Sequence, residues 1–122
     1  MDKLEEFKIF FILHKNIWFN PQNKYDNFIK NNYSDIFENM PKDIFLNNNN
    51  NIFNIMLAYD QLSYYIYRDN IEKIRENQII SKKIAKYFIN NNIIYNFIDI
   101  YKVFILLSLS RDNNLEDINK SI

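Results

Sequence analysis

The chain of 122 residues contains no glycine, no cysteine, two prolines and one histidine. Without cysteine it has no disulfide framework, no thiol nucleophile and no thiolate metal site. One histidine leaves no second imidazole for a zinc site built on a helix. Without glycine it cannot form the phosphate-binding loops whose backbone amides approach a nucleotide only at glycine. We therefore expect neither a metal nor a cofactor.

The charged side chains balance, with 15 basic and 15 acidic residues and a formal net charge of zero. A domain held on DNA or RNA by electrostatics would be strongly basic, so we expect no nucleic-acid partner. One local excess of positive charge lies between Glu72 and Lys86. That pattern is more typical of a solvated helix face than of a phosphate-binding track.

The two most apolar stretches, Phe7–Leu13 and Val103–Leu109, are each seven residues long, and the first includes Lys8. A membrane-spanning helix needs about 20 apolar residues, so both runs indicate buried helices instead. The first six residues lack the basic start and small-residue cleavage site of a signal peptide. We therefore expect a soluble, cytoplasmic protein without a membrane partner, or a virion component if the chain is viral.

Five residue types, Asn, Ile, Lys, Phe and Tyr, supply 76 of the 122 residues. Their codons are rich in A and T, so the bias indicates an A/T-rich genome, such as that of a large DNA virus. Aromatic density is then weak evidence for a binding platform. For the same reason we interpret the run Asn47–Asn51 as a surface loop.

The first helix is predicted by its cap and by its spacing. Asp2 can cap a segment in which Phe7 and Phe11 fall on one stripe, and Glu5–Glu6 lie in the first turn, where the helix dipole favours acids. His14 follows that segment without a neighbouring carboxylate. We interpret it as a cap at the helix C-terminus rather than as a catalytic base.

The remaining apolar residues also recur at steps of three and four, with no convincing strand pattern. The predicted segments are a helix from Asn20-Pro21 to Asn39, a helix from about Asn50 through Ile66, a short helical turn and a helix between Ile71 and Asn92, a helix from about Tyr95 to Leu109, and a short one capped by Asn113 or Asn114. We predict one all-α domain over residues 1–122, with five to six helices in antiparallel pairs.

Several motifs resemble the bacterial family known as domain of unknown function 924. They are Ile17-Trp18-Phe19, Tyr25-Asp26, Leu57-Ala58-Tyr59-Asp60-Gln61, Ile66-Tyr67-Arg68 and Phe104-Ile105-Leu106-Leu107. The resemblance covers about residues 16 to 119 and keeps the order and spacing of the motifs. It implies a tetratricopeptide-like arrangement of the helices.

The chain departs from the family pattern at polar positions, which makes it similar to a shortened, diverged relative. Leu62-Ser63-Tyr64-Tyr65 replaces Phe-Pro-Arg-Asn, and 111–114 reads Arg-Asp-Asn-Asn where the family has His-Ser-Glu-Asp. If the family has a reactive centre, that histidine and its neighbouring carboxylate are the natural candidates. Both are missing here, so the resemblance implies a fold more than an activity.

Asp60 and Arg68 are the main candidate site residues, because they lie a little over two helical turns apart beside Gln61. They can form a partly buried structural pair between helices, or Asp60 can orient Arg68 for an anion. We favour the structural pair. We also predict that Arg111 contacts the Asp60 region in space.

These observations lead to two functional hypotheses. The first is a non-catalytic module for protein–protein interaction or self-association, as in a viral structural or assembly component, because large apolar side chains in excess leave an exposed patch. The alternative is a small-molecule binder or degenerate enzyme with an inter-helix pocket. That pocket is predicted to contain Asp60, Gln61, Tyr64, Tyr67, Arg68 and Arg111, with no catalytic residue assigned.

Overall fold

The structure, a computed structural model, describes residues 2–17 and 23–111. Over these ranges the chain is helical and contains no strand, which confirms the predicted all-α fold. The α-helices are α1 (Lys3–Leu13), α2 (Asp26–Tyr33), α3 (Asn49–Leu57), α4 (Ser63–Ile66), α5 (Ile71–Asn90) and α6 (Asp99–Leu109). The 3-10 turns are Lys15–Ile17, Asn23–Tyr25, Ser34–Asn39, Ile44–Leu46 and Ile93–Asn96. The tetratricopeptide-like arrangement stays a prediction.

Polar side chains cap three of these helices at their N-termini. The Oδ1 atom of Asp2 accepts from the Glu5 amide at 2.8 Å, as predicted, and Asn48 and Asn70 cap α3 and α5 in the same way. The prediction that the asparagine run forms a loop is therefore wrong in part. Asn48 caps α3 and the next three asparagines form its first turn, because an asparagine side chain satisfies an amide that the helix leaves unpaired.

Asparagine also takes over the usual role of glycine at the end of α5. Asn92 has a φ of 59°, in the left-handed region that ends many helices. Asparagine tolerates this region better than most side chains do. A chain without glycine can thus still terminate a long helix sharply.

The second helix is shorter than predicted. Of the segment from Asn20 to Asn39, α2 covers only Asp26–Tyr33, and the chain continues as the 3-10 turn Ser34–Asn39. Tyr33 marks the change with a φ of −128° and a ψ of 0°. The predicted start at Asn20-Pro21 and the predicted C-terminal helix lie outside the described residues.

The sequence predicts a short helical turn and a separate helix between Ile71 and Asn92. The structure instead has one continuous helix of 20 residues, α5. Asn77, Gln78 and Ser81 are buried on its inner face and interrupt the apolar stripe. Hydrogen bonds satisfy these side chains, so the helix continues through a pattern that looked broken. The helix predicted from Tyr95 to Leu109 begins late, since Tyr95 lies in a 3-10 turn and α6 starts at Asp99.

Aromatic side chains connect the helices through the core. Phe7 on α1 contacts Tyr33 on α2 at a ring distance of 5.5 Å, and Phe11 contacts Phe104 on α6 at 5.4 Å. Complete burial of one phenylalanine contributes about 1.5–3 kcal/mol. The longest helix, α5, packs against α3 and α6.

A π-helical segment, Ala58–Leu62, joins α3 to α4 without a loop. Such segments widen the helix, since each hydrogen bond spans one residue more than in an α-helix, and they are frequent at functional sites. This segment also packs against α5 and carries Asp60 and Gln61 into the interior.

Within residues 2–17 and 23–111, no helix combines the length and the hydrophobicity that a transmembrane helix needs.

Candidate functional site

Asp60 is a completely buried carboxylate at the centre of the π segment. Arg111 binds it with two hydrogen bonds, from Nε to Oδ1 at 2.9 Å and from Nη2 to Oδ2 at 3.2 Å. Gln61 donates a third, from Nε2 to Oδ2 at 2.9 Å. The contact predicted between Arg111 and the Asp60 region is confirmed, and its geometry is bidentate, the strongest arrangement for this pair of side chains.

Arg111 follows the last turn of α6, and both its backbone and its side chain have contacts. Lys82 on α5 donates from Nζ to the Arg111 carbonyl at 3.0 Å, while the guanidinium lies 5.9 Å from the centre of the Tyr64 ring. Burial acts to lower the pKa of Arg111, but the hydrogen bonds and charge of Asp60 outweigh it and raise the pKa. The pair thus links α5, α6 and the π segment through a side chain that keeps its charge.

A layer of buried polar side chains extends from this pair along α5. Asn77 donates from Nδ2 to Ser63 Oγ at 3.0 Å, and Gln78 donates from Nε2 to the Tyr64 hydroxyl at 2.6 Å. Ser81 donates from Oγ to the Gln78 carbonyl at 2.9 Å. These contacts replace apolar packing between α5 and the segment from the π turn to α4, and they satisfy groups that would otherwise be costly to bury.

The predicted pair between Asp60 and Arg68 is wrong. Arg68 instead donates from Nη2 to Asp26 on α2 at 2.8 Å, and its guanidinium lies 5.7 Å from the Tyr65 ring centre. The prediction assumed a uniform α-helix between the two residues. The π segment changes the helical register, and α4 ends at Ile66, before Arg68. The C-cap residue Tyr67 has a φ of −116°, outside the α-helical range.

The six residues of the predicted pocket therefore separate into three groups. Asp60, Gln61, Tyr64 and Arg111 come together, Arg68 lies against α2, and Tyr67 lines a groove elsewhere. This groove has a volume of about 430 Å³ and lies between the 3-10 turn Ser34–Asn39, the π segment, the end of α4 and the first half of α5. Its lining residues are Ser34, Phe37, Glu38, Tyr59, Ile66, Tyr67, Lys73, Asn77 and Ile80.

No local sequence pattern predicts this groove, because its residues come from four separate elements. Phe37 is the shared contact, with ring distances of 5.6 Å to Tyr59 and 5.5 Å to Tyr67. Burial, and then the nearby Tyr67, raise the pKa of Tyr59. The Tyr59 hydroxyl therefore stays protonated and remains a hydrogen-bond donor at neutral pH.

A second polar cluster, also missed from the sequence, joins α1 to α3. Glu5 accepts from Asn54 Nδ2 at 2.6 Å and pairs with the buried Lys8 at 2.8 Å, and Lys8 donates to Asn50 Oδ1 at 3.1 Å. Partial burial acts to raise the pKa of Glu5, but the hydrogen bonds from Lys8, Asn54 and Asn50 and the charge of Lys8 lower it overall. Glu5 thus links two helices in addition to its predicted place in the first turn.

His14 lies where the sequence predicts it, at the C-terminus of α1. Its backbone amide donates to the carbonyls of Phe10 and Phe11, and its Nδ1 atom lies 2.7 Å from the Phe10 carbonyl oxygen. The imidazole also stacks on the Phe10 ring at 4.1 Å. These contacts confirm its interpretation as a helix cap.

Comparison with known proteins identifies the family. The family model described as "Bacterial protein of unknown function (DUF924)" matches residues 11–122. The chain belongs to this family. No curated protein and no solved structure matches it. The resemblance carried by the Asp60-Gln61 and Tyr67-Arg68 motifs is therefore confirmed, and within residues 2–17 and 23–111 no three His, Cys, Asp or Glu side chains are grouped to hold a metal.

Proposed function

We propose that this chain is a non-catalytic helical module that acts by binding protein, and that its contact surface is the outward side of α6. That side, which we call the α6 outer face, consists of the N-cap residue Ile98, of Val103 and Leu106 on the helix, and of Tyr95 in the preceding 3-10 turn. These four side chains are exposed by 63, 41, 52 and 74 % in that order. The exposure of these apolar side chains at a helix that buries Phe104 and Ile105 on its inner side is the observation that carries the proposal.

The chemistry of the buried pair favours a structural role over catalysis. Asp60 accepts three hydrogen bonds and is completely buried, so its carboxylate is not exposed to solvent or to a substrate. By the resemblance, Arg111 occupies the position of the histidine in the family's His-Ser-Glu-Asp motif. A guanidinium with a raised pKa does not exchange a proton at neutral pH, and it cannot replace a histidine as acid or base.

The Asp60–Arg111 pair also helps to hold α6 in a fixed position. Arg111 anchors the chain just after α6 to the π segment, and the contact between Phe11 and Phe104 holds the middle of the helix against α1. A rigid helix loses little conformational freedom when a partner covers it. The α6 outer face is therefore well suited to a stable contact.

A second copy of this chain is the partner that the charges favour. The formal net charge of zero leaves no long-range repulsion between copies. Near the face, Asp99 and Lys102 lie 3.7 Å apart and offset each other. A two-fold contact would place the same apolar side chains on both sides, the usual arrangement of a homodimer. An assembly component, viral or otherwise, would use the face in the same way.

Sedimentation velocity at increasing micromolar concentrations tests this proposal. We expect the wild-type chain to dimerise, and we expect the Val103→Lys/Leu106→Lys variant to stay monomeric with an unchanged helical spectrum. The matched control is Ile71→Lys/Ile79→Lys, which places two lysines at exposed positions of α5. A monomeric wild type, or an equal loss in the control, would contradict the proposal.

A second candidate function is the binding of a small molecule between helices. The groove lined by Phe37, Tyr59 and Tyr67 favours it, since its volume of about 430 Å³ falls within the usual range of ligand sites. It replaces the predicted pocket at Asp60 and Arg68, whose charges are already paired.

A further inference from the structure

The groove combines three aromatic rings with two aliphatic side chains. Phe37 lies on the 3-10 turn and contacts Tyr59 and Tyr67 across from it, and Ile66 and Ile80 complete the apolar part. The Tyr59 and Tyr67 rings are tilted by 49° and 47° relative to Phe37, so the three rings do not stack into one layer. A planar aromatic group suits such walls, because tilted and offset ring contacts are the favourable ones.

Two opposite charges lie on different walls of this groove. Glu38 belongs to the 3-10 turn Ser34–Asn39, and Lys73 belongs to the first turn of α5. Lys73 lies 3.7 Å from Glu76, but both side chains are largely exposed, and such pairs contribute little. Among the residues that the structure describes, Glu38 forms no ion pair. Lys73 Nζ also lies 5.7 Å from the centre of the Tyr67 ring, so its charge borders the aromatic part of the groove. A ligand's charged groups can replace such exposed contacts at little cost.

Asn77 adds a fixed polar group between these walls. It lines the groove although only 3 % of its surface is exposed, and its Nδ2 atom donates to the buried Ser63 hydroxyl. This hydrogen bond fixes the orientation of the amide, so Asn77 is a rigid part of the groove wall.

We propose that the groove binds a free aromatic amino acid as its zwitterion. The ring packs against the side of the groove formed by Phe37, Tyr59 and Tyr67, the ammonium group pairs with Glu38, and the carboxylate pairs with Lys73. This inference rests on the second candidate function and names its ligand class. A phosphate ester fits less well, since the groove has one lysine, no arginine and a carboxylate that repels the ester.

Calorimetric titration with phenylalanine and three analogues tests the proposal on the full chain. Phenylpropionate lacks the ammonium group, phenethylamine lacks the carboxylate, and leucine lacks the ring. We expect phenylalanine to bind with the lowest Kd, and we expect the loss of either charged group to weaken binding about fivefold, as for one exposed ion pair. Leucine should bind more weakly still.

Two variants assign each charged group to its partner. Lys73→Gln should weaken phenylalanine binding about fivefold but leave phenethylamine unchanged. Glu38→Gln should weaken phenylalanine equally and leave phenylpropionate unchanged. Lys83→Gln, which removes an exposed lysine from the same helix, is the matched control and should have no effect. Unchanged melting temperatures would show that the variants are folded.

The outcomes separate failure of this inference from failure of the candidate function. If phenethylamine or phenylpropionate binds as tightly as phenylalanine, the groove binds small molecules but the zwitterion assignment is wrong. If none of the four compounds binds, the inference is overturned. The second candidate function, small-molecule binding in this groove, then has no support from these compounds. Dimerisation through the α6 outer face is measured separately and is affected by neither result.

Discussion

Two arginine–aspartate pairs of the same chemistry hold different parts of this molecule with different geometry. Asp60 is 0 % exposed and receives two hydrogen bonds from Arg111, whereas Asp26 is 20 % exposed and receives one from Arg68. A carboxylate sealed from water depends on its partner for all compensation, while one near the surface can be hydrated instead. The comparison teaches that burial and hydrogen-bond count decide what such a pair contributes.

The largest effect should come from Arg111→Ala. This change leaves the buried Asp60 carboxylate with one donor, Gln61, and we expect a loss of about 3 kcal/mol in the free energy of unfolding. Equilibrium urea denaturation measures it. A loss below about 1 kcal/mol would mean that the pair behaves like an exposed one and would remove the contrast with Arg68.

A smaller change should follow Arg111→Ala/Asp60→Asn. Replacing the carboxylate removes the charge that Arg111→Ala leaves unpaired, so the double variant should regain about 1 kcal/mol relative to Arg111→Ala alone. The same denaturation experiment measures the recovery. Further destabilisation by the second substitution would show that the stranded charge is not the cause of the loss.

Glu5 provides an intermediate case that depends on pH. Because its pKa is lowered in the folded state, its contribution is complete above its ordinary value of 4.5 and decreases as the pH falls below that value. Glu5→Gln should therefore cost about 1 kcal/mol at pH 7 and less at acid pH. Urea denaturation at several pH values measures the difference. A cost independent of pH would contradict the ion pair with Lys8.

The smallest effect should come from Arg68→Ala. Its pair with Asp26 is partly exposed, so we expect a loss of about 0.5–1 kcal/mol. A loss equal to that of Arg111→Ala, measured in the same buffer, would show that the two pairs are alike and that burial does not separate them.

The sequence predicted the parts of this fold that depend on neighbouring residues. The Asp2 cap, the His14 cap and the spacing of Phe7 and Phe11 are local features, so they can be read from a few residues. Arg111 is a candidate because of its place in the family pattern, and its predicted contact with the Asp60 region is present. The A/T-rich origin of the composition stays a prediction.

The missed features depend on contacts between distant segments or on helix geometry. The π segment shifts the register that would have paired Asp60 with Arg68, and the groove at Phe37 is built from residues that are far apart in sequence. The polar residues Asn77 and Gln78 looked like a break in α5 because their partners lie on another helix. No local pattern contains this information.

A double-mutant cycle between Asp60 and Arg111 tests the central claim, that this pair is a structural clamp, most directly. The cycle compares the unfolding free energies of wild type, Asp60→Asn, Arg111→Ala and the double variant, with an Asp60 and Arg68 cycle as control. We predict a coupling of about 2 kcal/mol for Asp60 and Arg111 and a coupling near zero for Asp60 and Arg68. A coupling for Asp60 and Arg111 that is indistinguishable from the control would contradict the account.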